Sequence, residues 1–117
     1  MKLFNWFSKK VQWSQKRNRK YDKIKTVSSF TDVPDNTKED IYIVRSGKFN
    51  KWVIFMCPNE CGERIEVNLM NSRDPSWELE IKKGKVSLYP SVVLETCGAH
   101  FWLHKSEAEW AYFADQL

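Results

Sequence analysis

The sequence is sparing with the residues that usually announce chemistry: three cysteines, two histidines and four glycines in 117 residues. An odd number of cysteines does not close into a disulfide framework. The glycines are scattered, and no glycine-rich phosphate signature occurs, which excludes nucleotide chemistry of the P-loop or dinucleotide-binding kind. No stretch approaches the roughly 20 apolar residues that cross a bilayer. The N-terminal segment carries charge and aromatics without the continuous apolar run and small-residue cleavage site of a secretory signal. These absences point to the cytoplasm, where thiols stay reduced and spaced cysteines bind metal or react more often than they bridge. Internal repeats and low-complexity tracts are also lacking.

What is present describes a small folded protein. Hydrophobic residues make up 42% of the chain and aromatics 15%, with six tryptophans, too much apolar material for intrinsic disorder. The length suits one domain with a modest core, for which a structural metal is a natural supplement. The net charge of +4 is unevenly spread. Residues 1–25 hold nine of the 19 Lys and Arg but only one of the 15 acids, so the remainder, with ten basic and fourteen acidic residues, is mildly acidic. The basic character therefore belongs to the N-terminal segment and says little about the partners of the rest.

Residues 1–25 read as a basic, aromatic, amphipathic helix: Leu3, Phe7 and Val11 recur at spacings of four, and Trp6 and Trp13 lie seven apart. Such a segment suits an anionic membrane surface, a docking partner or a solvated face packed by its aromatics. Nucleic-acid binding is disfavoured because the rest of a recognition module is missing. Residues 26–38, rich in Ser, Thr, Asp and Asn around Pro34, read as a linker. Residues 39–117 read as a strand-rich Cys/His domain. Strands are predicted at 41–46, 51–56, 64–69, 77–81 and 86–89, with turns at Gly47–Asn50 and at Lys83-Gly84. Ser106 followed by Glu109 makes a capping box for a short C-terminal helix with Trp110, Phe113 and Leu117 on its apolar side. The expected fold class is α+β, mostly β. It comprises a small antiparallel sheet with a zinc-ribbon-like site, an N-terminal amphipathic helix and a short C-terminal helix.

Two short-spaced pairs carry the chemistry. Cys57 and Cys61 flank Pro-Asn-Glu, and Cys97 and His100 flank Gly-Ala, each pair at the end of a predicted strand. Zinc takes four soft or borderline ligands in a tetrahedron, and Cys₃His is one of its structural sets. The competing readings are three buried thiols with a core histidine, or a reactive Cys97 beside His100. His104 is an alternative ligand, though its distance from Cys97 demands a different turn. Ser91, after Pro90, lies just before the run leading to Cys97; His100 and His104 are the only candidate histidine bases for a serine nucleophile. On local chemistry alone a serine beside a proline is usually a turn residue. A His100 that bound zinc would also be unable to act as a base.

The order of these pieces resembles a family of small bacterial proteins of unknown function encoded beside ubiquitin-like conjugation genes. The matching residues are Cys57-Pro58, Cys61-Gly62-Glu63, Ile65, Trp77, Gly84, Leu88, Pro90-Ser91-Val92, Cys97-Gly98 and His100-Phe101-Trp102, within residues 41–104. The resemblance implies a place in a bacterial ubiquitin-like modification pathway, with a ubiquitin-like protein and its conjugation enzymes as partners. It implies a small serine-type peptidase that trims the modifier's tail or removes it from targets. Ser91 and His100 would be the catalytic pair, and the cysteines would hold a structural zinc. The alternative is a non-catalytic zinc-binding adaptor in the same pathway, with His100 as the fourth ligand.

Overall fold

The computed structural model describes residues 18–111. Ten strands order them: β1 (Arg19–Lys20), β2 (Ile24–Val27), β3 (Ile41–Ser46), β4 (Phe49–Met56), β5 (Arg64–Asn68), β6 (Glu78–Lys82), β7 (Lys85–Tyr89), β8 (Val92–Leu94), β9 (Ala99–His104) and β10 (Glu107–Trp110). They form a four-stranded sheet of order β1-β10-β9-β8, a second of order β2-β3-β4-β5, and the β6-β7 hairpin. Every pairing is antiparallel except β2 with β3, which run parallel.

Strand alternation makes the core. Ile43, Val53, Phe55 and Val67 from one sheet meet Phe101, Leu103 and Ala108 from the other, with Val86 and Leu88 of β7 closing the gap. Phe55 and Phe101 meet edge-on at 6.1 Å between ring centres, and Tyr21 packs the same way on Phe55 at 5.4 Å. The opposite face of β3 and β4 is covered as well: Tyr42, Val44 and Ile54 pack with Val33, Phe30 and Trp52. Residues 41–44 are accordingly buried on both sides, which is why that run reads as nearly continuous hydrophobicity.

Three expectations are corrected. Among the described residues there is no α-helix, only a 3₁₀ turn at Phe30–Asp32. The described end of the expected N-terminal helix is extended instead. Lys20 pairs with Glu107 in β1, and Ile24 opens β2 against Ile41. Tyr21, between them, is buried with its hydroxyl donating to the Met56 carbonyl at 2.5 Å. The apolar spacing that suggested a helix lies in residues 3–13, outside the described residues.

The expected C-terminal helix is strand β10 as far as Trp110, and residues 112–117 lie outside the described range. Lys105 and Ser106 both have positive φ, 51° and 61°, and form a two-residue turn that folds β10 back on β9. Ser106 cannot cap a helix from that conformation. Its hydroxyl instead accepts the Val86 N–H at 2.9 Å, so the apparent capping box is a hairpin turn. Finally, the single antiparallel sheet is replaced by three sheets with one parallel pair.

Candidate active site and cysteine cluster

Ser91, His100 and Cys97 sit on or beside the β8–β9 hairpin, and Cys57 and Cys61 come to it from the β4–β5 connection. The pairing Val92↔Phe101, Val93↔His100, Leu94↔Ala99 sets which side chains share a face. Val92, Ala99, Phe101 and Leu103 point into the core. By the same alternation Ser91, Val93, His100 and Trp102 stand on the opposite face. Ser91 is the residue just before β8, reached through a cis Tyr89–Pro90 bond, and two strand positions separate it from Val93.

Ser91 Oγ lies 2.9 Å from His100 Nε2. That is hydrogen-bond distance for a hydroxyl and an imidazole. The serine can donate when Nε2 is the unprotonated ring nitrogen. The Ser91 carbonyl accepts a hydrogen bond from the Trp77 indole N–H at 3.1 Å, so the residue is held from two sides. Ser91 and His100 are both half-buried, leaving an approach from solvent. His104 takes no part in this pair: four positions along β9, its Nδ1 lies 3.3 Å from Glu109 Oε2 on β10.

The cysteines converge at the far end of the same hairpin. Cys57 follows β4, Cys61 lies in the β4–β5 turn and Cys97 in the β8–β9 turn, and their sulfurs lie within 4.8 Å of one another. Local backbone geometry brings this about. The Glu60 N–H donates to the Cys57 carbonyl and the Cys57 N–H to that of Glu63, with Glu60 at φ 58° and Gly62 at φ 85° tightening the turn. Gly98, at φ 73°, gives the second turn a left-handed residue that favours glycine. His100 is not among the side chains whose ligand atoms gather there.

The donor set fits a metal. Tetrahedral thiolates at about 2.3 Å from zinc stand about 3.8 Å apart; Cys57 Sγ and Cys97 Sγ are 3.6 Å apart. Burial pushes the Cys57 thiol up to about 12, with the neighbouring sulfurs adding to it. Burial also acts to raise Cys97, but the Ala99 N–H and the surrounding donors outweigh it, and its net shift is downward. A buried thiolate at Cys57 therefore requires a cation beside it, and a divalent metal supplies one. Three cysteines close enough to hold a metal ion are thus a property of the fold.

Sequence reasoning missed Trp77 as a partner of Ser91. Its signals were its place at the start of a predicted strand, which reads equally well as core, and its position among the residues of the family resemblance, neither of which pointed to Ser91. The docking roles considered for residues 1–25 fall mostly on residues 1–17, outside the described range. Among the described residues no helix is long and apolar enough to cross a membrane.

Comparison with known proteins places the chain at the level of family. The family model described as bacterial ubiquitination-like system serine protease (BubE) matches residues 28–111. No curated protein and no solved structure matches the chain. The match spans well over half of the sequence and nearly all of the described fold, and the chain belongs to this family.

Proposed function

We propose that this protein is a serine peptidase that trims the C-terminal tail of a bacterial ubiquitin-like modifier or removes the modifier from its targets. The observation that carries the reading is the 2.9 Å contact between Ser91 Oγ and His100 Nε2 on the solvent face of the β8–β9 hairpin. Ser91 attacks the scissile carbonyl while its proton passes to His100 Nε2, giving a tetrahedral oxyanion. His100 then returns the proton to the leaving amine, the C–N bond breaks, and an acyl-serine remains. Water hydrolyses that ester by the same proton route in reverse. With His100 assigned to the reaction, the three cysteines are the metal ligands that the fold gathers among the described residues. We assign zinc on the strength of an all-thiolate donor set. Its role is structural: Cys97 fastens the turn of the hairpin that carries both reacting side chains.

The test is active-site labelling with a fluorophosphonate, which reacts only with an activated serine. One adduct per chain, mapped to Ser91 and abolished in Ser91→Ala and His100→Ala, is the expected result. A folded wild-type protein that neither labels nor processes the modifier would leave the zinc-binding adaptor as the better account.

A further inference from the structure

The site on β8 has an open side. In the sheet order β1-β10-β9-β8, β8 has a strand neighbour on one edge only among the described residues. The Leu94 carbonyl accepts the Gly98 N–H at 2.9 Å, so the backbone of Leu94 faces into the hairpin. Antiparallel alternation then turns the N–H and C=O of Val93 outward, along with those of Ser91. The Ser91 carbonyl bears this out, since it is met from outside the hairpin by the Trp77 indole. The Val93 backbone groups have no such partner among the described residues.

The same place is unusually apolar for a surface. Among the described residues five large hydrophobic side chains are exposed, and three of them lie next to Ser91 in sequence or strand register: Tyr89 at 41%, Val93 at 57% and Trp102 at 42%. Val93 stands directly opposite His100, and Trp102 is two positions along β9 on the same face. Unpaired strand edges are a liability that folds ordinarily blunt. Here the edge begins at the nucleophile and is flanked by apolar side chains.

Building on the serine-peptidase reading, we propose that the outer edge of β8 is the docking strand for the modifier's C-terminal tail. The tail adds to the sheet in extended form, antiparallel to β8, with the Val93 N–H and C=O as its main-chain partners. Strand addition is a general way to hold an extended peptide, with backbone hydrogen bonds giving affinity and alternate side chains giving selectivity. An added strand runs about 4.8 Å from β8, within a serine side chain's reach of the roughly 3–3.5 Å needed for attack.

Trp77 sets the polarity. It occupies the edge at Ser91, so the free run of edge extends from Val93 towards residue 95. The residues before the scissile bond, which lead back to the body of the modifier, lie along that run. Trp102 and Val93 offer the apolar surface for the side chains that point to the His100 face.

The experiment uses the full-length chain carrying Ser91→Ala, so that a bound tail is not cleaved. Its probes are the ubiquitin-like protein of the same bacterial system with its tail intact and the same protein with the tail removed. Amide hydrogen exchange at Val93 is expected to slow at least about tenfold with the intact probe and not with the truncated one. Val93→Pro deletes the outward N–H without touching a bond to β9, and is expected to weaken binding about tenfold. Val93→Ile keeps both the N–H and an apolar side chain, and is expected to bind more tightly than Val93→Pro.

Unchanged exchange at Val93 on binding, a Val93 amide already protected without the probe, no binding at all, or equal affinity of Val93→Pro would each overturn the proposal. Fluorophosphonate labelling of the Ser91 protein separates the two readings. Labelling without Val93 protection sinks the docking strand alone. Val93 protection without labelling sinks the serine chemistry and leaves a tail-binding edge.

Discussion

Replacing Trp77 by Phe separates what holds the fold from what aims Ser91, the proposed nucleophile. The indole N–H donates to the Ser91 carbonyl at 3.1 Å, and the ring packs half-buried against the main core cluster. Losing that hydrogen bond costs about 1 kcal/mol net, because water can reach the half-exposed Ser91 carbonyl. The smaller ring gives up about another 1 kcal/mol of apolar burial. A total of about 2 kcal/mol lowers the Tm of a domain this size by roughly 10 °C. At 25 °C the variant should still be folded, so stability alone predicts no loss of rate.

Positioning predicts otherwise. With one of its two anchors gone, Ser91 is free to drift relative to His100, and a displacement approaching 1 Å costs on the order of 10²-fold in rate. The expected result is a fluorophosphonate labelling rate, and a kcat for tail cleavage, lower by about 10- to 100-fold. KM should change little. The assay pairs thermal melts with labelling rates at 25 °C. A Trp77→Phe protein that melts earlier but labels at the wild-type rate would refute the positioning role and leave Trp77 as packing.

Other expectations follow from the cysteine cluster and the hairpin turn. Native mass spectrometry should find one zinc per chain, retained in His100→Ala and lost in Cys97→Ser; loss in His100→Ala would return that histidine to the metal. In the metal-free protein, iodoacetamide near pH 8 should modify Cys97 before Cys57, since the Cys97 thiol is shifted down and the Cys57 thiol up to about 12. The sign for stability follows from the raised Cys57 value. The folded state holds that proton more tightly than the unfolded chain, so this contribution is present below about pH 9 and fades as pH rises towards 12. Metal-free melts that improve above pH 9 would contradict it. Ser106→Ala should cost about 1–3 kcal/mol, since it leaves the buried Val86 N–H without its acceptor, and a chemical denaturation curve measures it.

Much of the strand framework was legible because its signal is local. Residues 64–68 alternate, Lys83-Gly84 is a two-residue turn at φ 53° and 73°, and residues 41–46 and 51–56 read as apolar runs bounded by polar turns. The cysteine cluster was legible because the short spacing of Cys57 and Cys61 marks a tight turn and Cys97 lies in another. What misled was ambiguity of period over short windows. Ser106 to Trp110 fits a helix start as well as an alternating strand, and only the Ser106 hydroxyl's bond to Val86, twenty residues earlier, decides it. Strands β1 and β2 were hidden for a related reason. Arg19 reaches the Cys57 carbonyl at 3.0 Å and Ile24 pairs with Ile41, so their ordering comes from distant partners in a stretch that composition marks as basic tail and linker.

The role of His100 shows the same limit at the site itself. In the sequence it sits three residues from Cys97, a spacing that suits a ligand pair. Once Cys97 is in a turn and residue 99 begins a strand, the distance is measured along β9 and across its pleat. Ala99 then points into the core and His100 to the solvent face, while Cys97 bends back towards Cys57 and Cys61. The histidine meets instead the residue that precedes β8, because antiparallel pairing places Val93 opposite His100 and leaves Ser91 a diagonal neighbour within reach. One short hairpin therefore serves two purposes at its two ends: its turn is tied to the rest of the fold by the cysteines, and its open end aligns a hydroxyl with an imidazole. The three-pair ladder between them is too short to be rigid alone. In the proposed function, a metal held at the turn acts on the alignment of Ser91 and His100 without contributing an atom to it.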